Sequence, residues 1–230
     1  MSPQFSMMIY TASTWVLPLL LAITLHEAAH GYVAHRLGDD TAWRLGRVSF
    51  NPLSHVDPFG TVLLPALLLA FHSPFLFGYA KPVPVNFRRL RNPRRDMIFV
   101  AAAGPAMNLA MATAAALLIH GVGLLPPDVG QWLLTNLGNA IAINVILAVF
   151  NMIPLPPLDG GRVAVGLPPR ALAEPLAGLE PYGMMIVIGV FFLLPMFQAQ
   201  LGININLFAQ IVTRPANAII QFILRFAGLA

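Results

Sequence analysis

The sequence predicts an all-α polytopic membrane protein with about five to six transmembrane helices. Hydrophobic residues make up 57% of the 230 residues and charged residues only 10%, whereas soluble proteins carry roughly 25% charged residues. Charge-free runs separate the few charged residues, and several runs reach the about 20 apolar residues that a helix needs to cross a hydrocarbon core. The basic residues gather in short stretches beside these runs. This pattern excludes a soluble domain and a disordered chain.

The predicted elements follow from where the apolar runs begin and end. The first span covers residues 8–25 and continues as a helix to about residue 37, where Gly38 and two aspartates stop it. Residues 59–77 are apolar but short and interrupted by prolines, and residues 78–86 alternate prolines with small residues, which predicts an extended segment. Further spans are predicted at residues 97–119, 132–150, 182–197 and 207–226, the last being either a span or an interfacial helix.

The basic residues orient these spans, because Lys and Arg are enriched on the cytoplasmic side. They follow the first span, precede residues 97–119 and follow residues 132–150, whereas the loops at 121–131 and 198–206 contain none. All basic stretches can lie in the cytoplasm only if residues 59–77 enter and leave the membrane on the same side. We therefore expect a re-entrant hairpin. Its non-helical backbone must be buried in protein or line a wet cavity, which predicts a water-accessible pocket near the cytoplasmic face.

The net charge and the absence of cysteine limit the partners and the chemistry that the chain can have. The formal net charge is +4, but six of the thirteen basic residues lie between Lys81 and Arg95, beside a hydrophobic span. That position favours contact with the anionic headgroups of the lipid bilayer over binding of nucleic acid. The absence of cysteine excludes disulfides, thiol catalysis and cysteine-based zinc sites. The first residues lack the basic region of a signal peptide, so we expect the first span to be retained.

An ionisable cluster, HEAAH, lies at the inner end of the first span. His26 and His30 are four residues apart and share one helix face, so both imidazoles can reach a single Zn²⁺ at roughly 2.0–2.1 Å. Glu27 falls beside the metal, where it can accept a proton from water without being a ligand. The alternative is a helix end at which these side chains merely cap and snorkel. Ionisable clusters within spans are usually functional, which favours the metal site.

A catalytic zinc site needs a third protein ligand. Asp39 and Asp40 are expected to be solvated cap residues, and Asp96 an acidic residue at a helix N-terminus. Asp159 follows an apolar span at the same predicted depth as the two histidines, within residues 156–161 (PPLDGG). There the prolines break the helix and the glycines permit close backbone approach, so the carboxylate can point into the bundle. The sequence therefore predicts one zinc ion per chain, held by the two histidines and Asp159.

Three motifs, in this order, resemble those of the site-2 protease family of intramembrane zinc metalloproteases. They are HEAAH, then residues 103–105 (AGP) with Asn108, then residues 151–162 (NMIPLPPLDGGR). The resemblance covers about residues 14–162. It implies that Glu27 activates the water and that Asn151 helps to hold the substrate or the oxyanion. The alternative for Asn151 is a helix C-cap ahead of a proline.

The resemblance also implies the organisation of the chain. We expect one metalloprotease domain over residues 1–230, with a catalytic core at about 8–165 and C-terminal helices at about 182–228. The pattern is that of the compact bacterial branch, without a PDZ or CBS domain, so regulation of access is expected to be either absent or supplied in trans by a regulatory membrane partner. The expected location is the bacterial cytoplasmic (inner) membrane, with the active site near the cytoplasmic face.

Two further stretches, residues 51–60 and 79–86, are similar to the compact bacterial branch. His55 and Asp57 could gate the site, hydrogen-bond to it or serve as an alternate ligand; a His–Asp pair that stabilises a turn is the alternative. Lys81 and Asn108 are further candidates for gating or substrate binding. The extended segment could also align an extended substrate through main-chain hydrogen bonds.

The expected reaction is hydrolysis of a peptide bond in or near a transmembrane helix of a membrane protein or signal-peptide-like substrate. A divalent-metal transporter is one rival, but transporters usually show repeated halves and charged residues in several spans. A catalytically inactive membrane scaffold is the other, and against it the HExxH glutamate and all three predicted ligands are present.

Overall fold

The computed structural model describes residues 2–63, 67, 81–195, 197 and 206–230. Within these ranges the chain is helical and forms no strand. Three helices are long and apolar enough to cross a membrane, namely Gln4–Arg36, Pro93–Leu124 and Pro127–Asn151. The described fold therefore confirms the all-α class, and the length and composition of these three helices indicate a membrane protein.

Eight α-helices are defined in the described ranges: α1 Pro3–Arg36, α2 Thr41–Arg44, α3 Pro93–Leu118, α4 Pro127–Asn151, α5 Asp159–Gly166, α6 Arg170–Ala177, α7 Glu180–Ile188 and α8 Arg214–Phe226. Short 3₁₀ turns cover Pro52–His55, Phe87–Arg89 and Ile119–Leu124. π-helical turns cover Pro58–Leu63, Gly189–Leu193 and Ala209–Thr213. Helices α1, α3 and α4 pack on one another and form a bundle.

Helix α1 begins and ends as its sequence requires. The Ser2 hydroxyl accepts a hydrogen bond from the Phe5 N–H, and Pro3 occupies the first helical position, where its missing N–H costs nothing. At the other end Gly38 has a φ of +112°, a conformation that glycine adopts without strain. The predicted helix end near residue 37 is confirmed.

Helix α3 begins four residues before the predicted span. Pro93 lies in its first turn, and the buried Asp96 carboxylate accepts a hydrogen bond from the Asn92 N–H, as expected for an acidic residue at a helix N-terminus. Its small residues pack against α1 and α4; those that are buried include Ala101, Gly104, Asn108 and Ala112. Small side chains at helical spacing let the three backbones approach closely at this depth.

The end of the bundle away from the HEAAH cluster is held by apolar packing. Buried residues of α3, α4, α8 and the residue that follows α8 form one core there, comprising Ala112, Ala115, Ala116, Leu137, Ile141, Val145, Ala216, Ile223 and Ala227. The polar cluster and this core therefore occupy different halves of the bundle.

Several expectations stay predictions. The apolar helix Glu180–Phe191 is shorter than a span, and the number of five to six spans is not established by the described residues. The re-entrant hairpin falls mostly outside them, because residues 64–66 and 68–80 are not described. Of the extended segment only residues 81–86 are described, and these form neither helix nor strand.

One expectation about Asp39 is wrong. The residue is fully buried instead of solvated. Its carboxylate accepts hydrogen bonds from the Thr41 N–H and hydroxyl and from the Asn86 N–H. Asp39 therefore ties the end of α1 to the segment that enters α3, and these backbone donors replace the water that a solvated carboxylate would bind.

Candidate metal centre

Three side chains converge where α1, α3 and the start of α5 meet. The Nε2 atoms of His26 and His30 are 3.1 Å apart, and Oδ2 of Asp159 lies 3.3 Å from each of them. A tetrahedral zinc ion with bonds of 2.0–2.1 Å separates its ligand atoms by about 3.3–3.4 Å. The three atoms therefore already have the spacing of three corners of a zinc tetrahedron, and they could hold one metal ion.

The acidic member of this cluster lacks a partner of its own. Oδ2 of Asp159 is buried and accepts no hydrogen bond from the residues that the structure describes. An ionised, otherwise unpaired carboxylate oxygen is the form that a metal ligand requires.

Gly104 makes room for the two imidazoles. A Cβ atom at this position would lie 2.5 Å from Cε1 of His26 and 2.5 Å from Nε2 of His30. Any side chain on α3 at this position would therefore occupy the volume of the ligand atoms. The glycine of the AGP motif is explained by this close approach of α3 to the cluster.

Each imidazole is held through its second nitrogen. Nδ1 of His26 lies 2.6 Å from Oδ1 of Asn108, and Nδ1 of His30 lies 2.7 Å from the Val100 carbonyl oxygen. Both oxygens can only accept, so both Nδ1 atoms donate a proton. Each Nε2 then keeps its lone pair for the cluster, as in metal sites where an outer partner orients the histidine.

The position of Asp159 depends on backbone contacts that only glycine permits. A Cβ on Gly160 would lie 2.2 Å from the Met152 carbonyl oxygen, and a Cβ on Gly161 would lie 2.1 Å from the Pro156 nitrogen. The far end of α5 is anchored as well, because Nε of Arg94 donates to the Gly166 carbonyl. Asp159 therefore starts a helix that is packed tightly against the preceding proline-rich loop.

Glu27 is half-buried next to the cluster on α1. Its Oε2 accepts a hydrogen bond of 2.7 Å from the Val83 N–H. The segment that carries Val83 is fastened at Lys81, whose N–H donates to the His55 carbonyl and whose carbonyl accepts from Nη2 of Arg47. Residues 81–86 thus border the glutamate, in agreement with the expectation that they lie beside the site.

The other candidates lie in local hydrogen-bond networks. Nδ2 of Asn151 donates to the Leu147 carbonyl one turn earlier in α4. Nε2 of His55 donates to the Ser49 carbonyl. Oδ1 of Asp57 accepts from the N–H groups of the residues two and three positions later. The roles expected for His55 and Asp57, in gating, in hydrogen-bonding to the site, as an alternate ligand or as a turn-stabilising pair, stay predictions.

The structure adds partners that sequence reasoning missed. Asn108, expected at the substrate or gate, is fully buried against His26. Asn144 of α4 hydrogen-bonds to Asn108, and the Val83 N–H holds the glutamate. The position of Asn144 in an apolar run could have marked it as a buried polar residue. No sequence pattern identifies the Val83 N–H as the partner of Glu27.

Comparison with known proteins finds relatives that are named putative zinc metalloproteases. "Putative zinc metalloprotease YwhC" of Bacillus subtilis is 36% identical over 210 residues, which cover 85% of this chain and 91% of that protein. "Putative zinc metalloprotease Rip2" of Mycobacterium tuberculosis is 29% identical over 180 residues, which cover 78% of this chain and 64% of the relative. "Putative zinc metalloprotease Rip3" of the same organism is 32% identical over 154 residues, which cover 63% of this chain but 28% of the relative.

No protein-family model matches the chain, and no solved structure matches it at a significant level. The identity to YwhC nevertheless extends over most of both chains, and the buried His–His–Asp cluster fits the metal in that name. The chain therefore belongs to the zinc metalloprotease family that includes YwhC.

Proposed function

We propose that this protein is an intramembrane zinc metalloprotease of the site-2 protease type, which hydrolyses peptide bonds in or near transmembrane helices of membrane proteins. The observation that carries the proposal is a buried His–His–Asp cluster next to a glutamate. Both histidines and the glutamate lie on a helix long enough to cross a membrane. Such ionisable groups are costly in a span and are usually retained for function.

The depth of the cluster supports cleavage within the membrane. His26 precedes Arg36, the last residue of α1, by ten residues, which is about 15 Å along the helix axis at 1.5 Å per residue. With the basic end of α1 at the cytoplasmic surface, the cluster lies below that surface but nearer to it than to the opposite one. The bacterial cytoplasmic membrane is the proposed location, with the site near its cytoplasmic face.

His26, His30 and Asp159 would hold one zinc ion per chain, by the spacing of their ligand atoms. When bound, zinc supplies Lewis acidity, which polarises the scissile carbonyl and makes water a nucleophile at neutral pH. Three protein ligands would leave one coordination position open for water and substrate, as in other catalytic zinc sites.

Glu27 is the proposed general base and acid. Its carboxylate accepts a proton from the attacking water while the water oxygen bonds to the carbonyl carbon. The same carboxyl group then donates this proton to the departing amide nitrogen as the C–N bond breaks, so that the products are an amine and a carboxylic acid, which ionises at neutral pH. The Val83 N–H on Oε2 holds the side chain in place and leaves the other carboxylate oxygen for the proton transfer.

The substrate must be locally unwound, because the carbonyls of an intact helix are engaged in i→i−4 hydrogen bonds. Residues 81–86 border Glu27 and could align an unwound strand, and Asn151 is the proposed contact for the substrate or the oxyanion. Helix-weakening residues are therefore expected near the scissile bond of a transmembrane or signal-peptide-like substrate.

The test compares the purified full chain with Glu27→Gln in detergent, using a single-span protein substrate. The unmodified protein is expected to contain one zinc ion and to cleave in a chelator-sensitive way, whereas Glu27→Gln keeps the zinc but loses cleavage. Full peptidase activity of Glu27→Gln would overturn the proposed mechanism. Zinc binding with metal flux into vesicles, and no cleavage, would instead indicate a transporter.

A further inference from the structure

Two buried asparagines connect the His–His–Asp cluster to the neighbouring helices. Asn108 of α3 is fully buried, and Asn144 of α4 is 2% exposed. Oδ1 of Asn108 lies 2.6 Å from Nδ1 of His26, and Nδ2 of Asn108 lies 2.8 Å from Oδ1 of Asn144. Amide side chains at this depth are retained only when their hydrogen bonds are satisfied.

The orientation of each amide is set by a backbone carbonyl. Nδ2 of Asn108 donates to the Ala22 carbonyl at 3.2 Å, and Nδ2 of Asn144 donates to the Ala140 carbonyl at 2.9 Å. A carbonyl oxygen can only accept, so a flipped amide would place two acceptors against each other in both positions. Oδ1 of Asn108 must therefore face the imidazole of His26.

This orientation determines where His26 carries its proton. Because Oδ1 of Asn108 can only accept, Nδ1 of His26 donates, and the lone pair of the neutral ring lies on Nε2. Asn108 also contacts the backbone of the same helix turn, since the Ala22 carbonyl is the helical partner of the His26 N–H. One side chain thus holds both the ring and the turn that carries it.

We infer that Asn108, oriented by Asn144, is a positioning residue that fixes the tautomer and ring plane of His26 for metal binding. The inference rests on the proposed zinc site. His30 has no comparable dependence, because its partner is the Val100 backbone carbonyl. The two histidines are therefore supported differently, and only the support of His26 can be removed by a side-chain substitution on another helix.

The chain of hydrogen bonds also links three helices at one depth. Ala22 lies on α1, Asn108 on α3 and Asn144 on α4, and each of these three helices is long enough to span a membrane. A shift of α3 or α4 along its axis would break one of these hydrogen bonds between helices. The metal geometry at His26 is consequently coupled to the register of the bundle.

The test measures zinc affinity of the full chain in detergent by competition with a chromophoric chelator, together with the visible spectrum of the cobalt-substituted protein. Asn108→Leu is expected to weaken zinc binding about 10- to 100-fold, the usual effect of removing an outer partner of a metal ligand, and to alter the cobalt ligand-field bands. Asn108→Asp, which in its neutral form keeps one acceptor and one donor, is expected to lose less affinity.

Asn136→Leu is the matched control. Asn136 is a buried asparagine of the same helix as Asn144, but among the described residues its Nδ2 donates within that helix, to the Trp132 carbonyl. Its replacement is expected to leave zinc affinity and the cobalt spectrum unchanged. If Asn108→Leu does not fold, Asn144→Leu carries the test, with a smaller loss of affinity than Asn108→Leu would give and the same direction of spectral change.

Unchanged zinc affinity and an unchanged cobalt spectrum in folded Asn108→Leu, or in Asn144→Leu where that variant replaces it, would overturn the inference. An equal loss of affinity in Asn136→Leu would also overturn it, because the effect would then come from general destabilisation. A protein that binds zinc with this dependence on Asn108 but cleaves nothing would contradict the proposed function and leave the role of Asn108 standing.

Discussion

The Val83 N–H donates a hydrogen bond of 2.7 Å to Oε2 of Glu27. This contact joins an irregular segment to a glutamate 56 residues earlier in the chain. Pro82 and Pro84 have no N–H, so Val83 supplies the one backbone donor among these three residues. The position of the glutamate therefore depends on the path of residues 81–86 past α1.

Val83→Pro removes this donor and is expected to slow peptide hydrolysis. A hydrogen bond to a charged group is worth about 1.5–3 kcal/mol, which corresponds to a loss of roughly 10- to 100-fold in kcat/KM if Glu27 is the base. Zinc content is expected to stay unchanged, because Val83 bonds to no member of the metal cluster. Val85→Pro is the control, since no hydrogen bond of its N–H is found in the described part of the chain; equal losses in both variants would contradict the prediction.

Gly104→Ala is expected to abolish stoichiometric zinc binding. Its Cβ would lie 2.5 Å from Nε2 of His30 and from Cε1 of His26, so both rings would have to move. Metal analysis of the purified protein measures the effect. Gly138→Ala is the matched control in a helix, because a Cβ there meets nothing within 4 Å; zinc content of Gly104→Ala equal to that of Gly138→Ala would argue against this packing.

Gly183→Ala is expected to impair the metal site from a distance. A Cβ at this position of α7 would lie 1.6 Å from the Pro156 carbonyl oxygen, which belongs to the loop before Asp159. Since backbone atoms cannot yield as a flexible side chain does, the loop must shift and carry the carboxylate with it. Reduced zinc affinity together with a lower Tm is the expected outcome.

Gly189→Ala provides the comparison for this variant, because a Cβ at that position meets nothing within 4 Å. It is expected to match the unmodified protein in zinc affinity and Tm. If Gly183→Ala also matched it, α7 would not support the loop that carries Asp159.

Removal of zinc is expected to lower the thermal stability of the protein. A ligand that binds only the folded state stabilises it by about 2.7 kcal/mol at 100 times its Kd, and the three ligands come from α1 and α5, which are brought together only by folding. A chelator should therefore lower the Tm, and added zinc should restore it. Asp159→Asn removes the anionic ligand, so its Tm should change little with either reagent. Asp128 lies in the first turn of α4, and the Tm of Asp128→Asn should respond as that of the unmodified protein does.

The sequence alone determined the features that lie within a single helix. The scarcity of charge and the length of the apolar runs predict membrane-spanning helices, and the structure describes three of them. The pairing of His26 with His30 also follows from local geometry, because residues four apart on a helix always share a face. Gly38 likewise ends α1 where a positive φ is required.

Only the tertiary structure decided the contacts between distant elements. Asp159 was predicted by elimination among few acids, but its 3.3 Å approach to both imidazoles depends on the close packing of Gly160 and Gly161. The hydrogen bond between Asn108 and His26 was not predicted, and Asp39 was expected in solvent but is buried. The physical reason is that a helix repeats every 3.6 residues whatever surrounds it, whereas the partner of a side chain on another helix is set by how the backbones pack.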